Sequence, residues 1–126
     1  MDPFPLNLNT FTPMQDFDSA PEHAVIVRFR RNAGELSKIF DVELELALAL
    51  AKSGAGWYEG HELTADRTSG HLYMYGPDAD ELLTTIRPAL ERATGIHDIV
   101  ALLRYGESDT NSPRMSVAID NKVTPD

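Results

Sequence analysis

The chain has 126 residues, a formal net charge of −9 and no cysteine, and 42% of its residues are hydrophobic. That length and apolar content fit one domain with a real core, while the missing cysteine removes disulfides, thiolate catalysis and thiolate zinc sites together. Residues 1–22 hold four acids and no Lys or Arg, and residues 107–126 hold four acids against Arg114 and Lys122, so the segment between them is only mildly acidic. An acidic nucleic-acid mimic is therefore not indicated, and no basic field exists to drive phosphate-backbone binding, so nucleic acid is not an expected partner. No basic leader precedes an apolar run and no segment approaches the ~18 apolar residues of a spanning helix, which predicts a cytoplasmic protein without membrane contact.

Residues 1–22 contain four prolines and no helical period, and predict a mobile N-terminal arm, with Leu6–Phe11 as a candidate edge strand. The domain proper is expected over residues 23–106. Its first strand is Ala24–Arg30, with Val25, Val27 and Phe29 on one face and Ile26, Arg28 and Arg30 on the other. A helix follows from about Glu35 to Ser53, closed by Gly54. At 100° per residue its apolar face centres on Leu36, Phe40, Ala47 and Leu50, with Ile39, Leu46 and Ala51 on the flanks. Glu43 falls on that face; a carboxylate there can serve as a general base, but the expected role is structural, reaching solvent or an Arg at the end of the stripe.

Trp57–Leu63 and His71–Tyr75 read as a hairpin turned within Thr64–Gly70, where Asp66 supplies the turn chemistry. An odd loop places Tyr58, Gly60, Leu72 and Met74 on the helix side, and Trp57, Glu59, His61, His71, Tyr73 and Tyr75 on the other. Gly60 reads as a bulge or a close backbone approach. Gly76 and Pro77 stop the strand, and Asp78 three residues before Glu81 signals the start of a second helix, Ala79 to about Ala93. Pro88 within it predicts a kink near Thr84–Pro88 or two short helices. The last core strand is Asp98–Tyr105. Residues 107–126 form a tail in which 107–113 is a mobile polar linker and Met115, Val117 and Ile119 mark a candidate extra strand at 114–119.

The element order β-α-β-β-α-β predicts an α+β, ferredoxin-like sandwich, with a mixed antiparallel sheet ordered 4-1-3-2 and both helices on one face. The segments GWYEGHE, HLYMYGPDADELL and LLRYGE, at their spacings within residues 24–106, resemble a group of small bacterial ferredoxin-like proteins without an assigned activity. The resemblance implies the fold and a bacterial source, and it transfers no catalytic residue.

No Ser-His-Asp context, P-loop, GxGxxG or HExxH is present, so no catalytic residue and no cofactor is assigned. Glu59, His61 and His71 on one hairpin face can hold a divalent ion in principle, yet two surface histidines beside an acid are too common a pattern to assign a metal. The sheet face away from the helices is more informative. It is expected to carry Ile26, Arg28, Arg30, Trp57, Glu59, His61, Tyr73, Tyr75, Val100, Leu102 and Arg104, an aromatic and apolar centre with a charged rim. Three covers are open: residues 114–119 or 6–11 of the same chain, a second copy, or a different protein. Stacking of RNA on Tyr73 and Tyr75 is disfavoured by the acidic balance. The expected function is a non-enzymatic binding protein, a regulator or a toxin-neutralising immunity protein, that acts through this face on a protein partner or on itself. The alternative is a small anionic-ligand domain or α+β-barrel enzyme in which Arg28, Arg30 and Arg104 clamp an anion against Tyr73 and Tyr75.

Overall fold

The computed structural model describes residues 22–31, 36–107 and 112–121. The expected N-terminal arm, the candidate cover at Leu6–Phe11 and most of the 107–113 linker lie outside the described residues. Seven elements follow one another: β1 (His23–Arg31), α1 (Ser37–Ser53), β2 (Trp57–Leu63), β3 (Ser69–Gly76), α2 (Ala79–Arg92), β4 (Ile96–Arg104) and β5 (Arg114–Ile119).

The strands form one five-stranded sheet in the order β2-β3-β1-β4-β5, and every neighbouring pair is antiparallel. This corrects the expected four-stranded, mixed sheet ordered 4-1-3-2. Residues 114–119 do not fold over the open face. They pair along β4 from Arg104↔Arg114 to Ile99↔Ile119 and extend the sheet sideways. The alternation of β5 is met at that edge, where Ile119 is buried and Val117 packs against the core. Parallel neighbours do not arise because β1 and β2, which run the same way, are separated by β3.

Both helices lie on one face of the sheet, and the core between the layers joins Val25, Val27, Phe29, Leu72 and Met74 to Leu46, Leu50, Leu82, Ile86 and Leu90. The buried stripe of α1 is Ile39, Val42, Leu46 and Leu50. The expected stripe is therefore rotated: Phe40 is 54% exposed, and Leu44 and Leu48 are 61% and 60% exposed. The apolar content of α1 surrounds most of its circumference, so periodicity fixes the helix but leaves its phase to packing. Gly54 closes α1 in the left-handed region at φ 76°, its N–H donating to the Leu50 carbonyl, a conformation that costs glycine little.

Asp78 caps α2 by accepting from the N–H groups of Asp80 and Glu81 at 3.0 and 3.3 Å, and His23 Nδ1 accepts from the Ala79 N–H at 3.0 Å. Helix α2 is one element through Pro88, not two short ones. Pro88 and Thr84, whose carbonyl loses its usual donor, both face solvent, which places that carbonyl on the solvent side of the helix while the opposite stripe stays buried. The β2–β3 turn is built on Asp66, whose carboxylate accepts from Thr64 Oγ1 at 2.7 Å, Thr68 Oγ1 at 2.8 Å and the Thr68 N–H at 3.0 Å. Those bonds, the Thr64 hydroxyl first, hold its pKa down to about 2. Arg31, almost fully buried at the end of β1, reaches the same turn by donating to the Arg67 carbonyl.

Candidate functional site

The register of the sheet defines the open face row by row. One row runs Trp57–Tyr75–Ala24–Arg104–Arg114, the next Gly60–Tyr73–Ile26–Leu102–Ser116, and a third Glu62–His71–Arg28–Val100–Ala118. A fourth begins with Ser69, Arg30 and His97. Side chains at alternate positions share one face, so Arg28, Arg30, Trp57, Tyr73, Tyr75 and Arg104 all stand on the side away from the helices. The centre is half-buried by its own neighbours: Ile26, Tyr73, Tyr75, Val100 and Leu102 are each of intermediate exposure, whereas Trp57 is 47% exposed.

The expected cluster is nevertheless divided. Arg104 lies in the row of Tyr75, while Arg28 and Arg30 lie two and three rows further along β1. With two residues of rise, roughly 7 Å, between rows, the three arginines do not converge and Tyr75 does not face Arg28. The clamp of three arginines on two tyrosines is not formed. Arg104 instead donates from Nε to the Gly106 carbonyl at 2.8 Å.

The hairpin also departs from the expected facing. A bulge between Tyr58 and Gly60 leaves Glu59 without a cross-strand partner and shifts the register, so that Gly60 meets Tyr73, His61 meets Leu72 and Glu62 meets His71. Every residue after the bulge changes sides. Gly60, read as a bulge position, occupies it at φ 150°. His61 therefore belongs to the helix side and His71 to the open side, and the arrangement of two imidazoles with Glu59 is not assembled. Glu59 accepts from Trp57 Nε1 at 3.0 Å, and Glu62 takes the Tyr73 hydroxyl at 2.7 Å. That bond, together with burial, moves the ionisation of Tyr73 upward. Among the described residues no group of three His, Cys, Asp or Glu is placed to share an ion.

On the helix side, Glu43 meets neither solvent alone nor an arginine. Its Oε2 accepts a hydrogen bond from the Tyr58 hydroxyl and lies 2.6 Å from His61 Nδ1, with the carboxylate side chain 17% exposed. Burial, and then the adjacent carboxylate, push the Tyr58 ionisation far up. The Phe40 ring lies 6.5 Å from the His61 ring. This cluster fastens α1 to the edge strand β2, and a nucleophile or a second acid is not aligned with it among the described residues.

A groove of about 860 Å³ opens at the Arg28–Arg30 end, between β1, β3, β4 and the end of β5. A second bulge creates it: the β1–β4 register shifts between Arg28 and Arg30, with Asp98 at φ 51°. Besides the two arginines its polar lining is Ser69, His71, His97, Asp98, Asp120 and Asn121. Of these, Ser69, His97, Asp98, Asp120 and Asn121 are absent from the expected site. His97 was legible only with β4 beginning at Ile96 instead of Asp98; the sole sequence cue was that Arg28 and Arg30 alternate on a strand whose neighbours must face them. Asn121 is held by donating from Nδ2 to the Ala93 and Ile96 carbonyls at 3.2 and 2.8 Å.

No family model, no curated protein and no solved structure matches the chain. Among the described residues no helix is long and apolar enough to cross a membrane.

Proposed function

We propose that this chain is a non-enzymatic binding protein whose open sheet face docks a protein, and that the occupant is a second copy of the chain. One observation carries the reading. The helices cover one side of the sheet and β5 extends the edge, so Ile26, Leu102, Tyr73, Tyr75 and Trp57 form an apolar and aromatic surface that no other described element covers. Five strands at ~4.8 Å spacing and about 20 Å of strand length give about 500 Å² in plan, and two such faces reach the ~1,000 Å² at which specific interfaces begin.

Charge favours a second copy. The face bears Arg28, Arg30, Arg104 and Arg114 against Glu62, Asp98 and Asp120, so its charges nearly cancel, whereas the whole chain carries −9. Two copies meet on this side without the repulsion their other surfaces impose. The same balance argues against nucleic acid. The first four strands, taken from β4, run 4-1-3-2, which supports reading the domain as a ferredoxin-like sandwich with one added strand, of the kind found in small bacterial cytoplasmic proteins.

The test is sedimentation equilibrium on the full chain and on Tyr73→Arg. The expected outcome is a dimer with Kd in the micromolar range, about −8 kcal/mol, that becomes a monomer in Tyr73→Arg with an unchanged far-ultraviolet circular dichroism spectrum. A wild-type monomer at ~100 μM refutes self-association, since a micromolar dimer is mostly assembled there.

A further inference from the structure

We propose that the groove at the Arg28–Arg30 end of the open face is a binding site for a small organic oxyanion with at least two negative charges, a phosphate ester or a polycarboxylate. Arg28 and Arg30 are both exposed and stand on the same side of β1. Among the described residues neither has a hydrogen-bond or ion-pair partner. Two neighbouring guanidiniums left unneutralised in a chain of net charge −9 are an unusual placement, because acids are abundant enough to have paired them. Row neighbours His71 and His97 add two further donors, giving four nitrogen-bearing side chains on three adjacent strands that line the groove.

Spacing selects the charge of the ligand. Positions i and i+2 on a strand are roughly 7 Å apart, so a single carboxylate engages one fork at a time, whereas a phosphoryl group or two carboxylates engage both. The bulge at Asp98 matters for the same reason: it turns β4 away from β1 and opens a concavity where a regular ladder would be flat. The volume of about 860 Å³ suits a metabolite-sized molecule. Asp98 and Asp120, which also line the groove, accept from hydroxyl or amine groups. The ligand is thus anionic and also carries hydrogen-bond donors. The groove occupies one end of the same open face, with Arg28 and Arg30 one and two rows from Tyr73, so anion binding is also read on the Tyr73→Arg monomer and either proposal can fail while the other stands.

Nitrogen-15 correlation spectra of the full chain are titrated with pyrophosphate and, separately, with citrate, each at constant ionic strength set with sodium chloride. The expected result is saturable shifts of the Arg28, Arg30, His97 and Asp98 amides with one of the two probes, weakened at least tenfold in Arg28→Gln/Arg30→Gln. The probe that saturates identifies the phosphate or the carboxylate class. Tyr73→Arg, which keeps both groove arginines, is expected to retain the anion response as a monomer. No saturation with either probe up to ~10 mM, a dissociation constant weaker than about −3 kcal/mol of binding, overturns the site. Equal binding by the double variant, or by Arg30→Gln alone if the double variant loses its spectral dispersion, does the same.

Discussion

Replacing Tyr58 by Phe removes one oxygen from the Glu43 cluster while leaving the ring in place, which isolates the bond that ties α1 to β2. A hydrogen bond to a charged acceptor contributes about 1.5–3 kcal/mol. Glu43 keeps His61 Nδ1 at 2.6 Å in the variant, so the carboxylate is not left bare and the lower end applies, about 1.5 kcal/mol. For a domain of this size that corresponds to a fall in Tm of roughly 6–12 °C. Urea unfolding at pH 7 measures it, and a double-mutant cycle with Glu43→Gln should return a coupling of about 1 kcal/mol. The alkaline limb supplies a second readout. Because the folded-state ionisation of Tyr58 is raised, the unfolded chain loses this proton first; stability is fully present below pH 10 and falls as pH rises beyond it. Tyr73 and Tyr105 are shifted the same way, so Tyr58→Phe should flatten that decline without abolishing it. A loss below ~0.5 kcal/mol, no coupling, and an unchanged alkaline slope would together refute the fastening role.

Leu46→Ala should cost about 2–5 kcal/mol, whereas Leu48→Ala, two residues further round the same helix, should stay within about 0.5 kcal/mol; denaturant midpoints of the pair check the phase of α1. Gly56→Ala should be strongly destabilising, since a Cβ there would stand 2.1 Å from the Tyr75 carbonyl oxygen, and thermal unfolding reads the loss. Asp66 should titrate near pH 2 in carbon-detected spectra. Its folded pKa is depressed, so its contribution is present above pH 4 and is lost as pH falls toward 2, a dependence that Asp66→Asn should remove. Glu43→Gln should leave self-association and anion binding unaltered, because the Glu43 cluster lies on the opposite side of the sheet; loss of either with the fold intact would give Glu43 a direct functional part.

Strands, helices and their order were legible because Val25–Phe29, Leu72–Met74 and the Asp78 cap each carry a short-range signal that burial then reinforces. Three features were not, and each turns on a single residue. Glu59, inserted as a bulge, sends His61 to the helix side, and nothing in the alternation of GWYEGHE separates a bulge at Gly60 from a regular strand. Asp98 in the left-handed region opens the groove and brings His97 beside Arg30. Helix α1 is apolar around so much of its circumference that its exposed ridge of Phe40, Leu44 and Leu48 depends on where α2 and β2 sit. The open face itself follows from counting layers, yet its division into an aromatic half and an arginine half needed the register.

The position of β1 has a consequence for synthesis. It is made first among the described strands, yet it occupies the middle of the sheet and needs β3 on one flank and β4 on the other. Ile26 pairs with Leu102, about 75 residues later, so at 5–20 residues per second the ribosome delivers that partner roughly 4–15 s after β1 emerges. Through that interval Val25, Val27 and Phe29 have no completed layer to enter, and their strand keeps at least one unpaired edge. Arg28, Arg30 and Arg31 sit within and beside this run, and three positive charges in four residues discourage nascent chains from pairing with one another. The arginines proposed to hold a ligand in the finished protein thus also act as gatekeepers while it is being made.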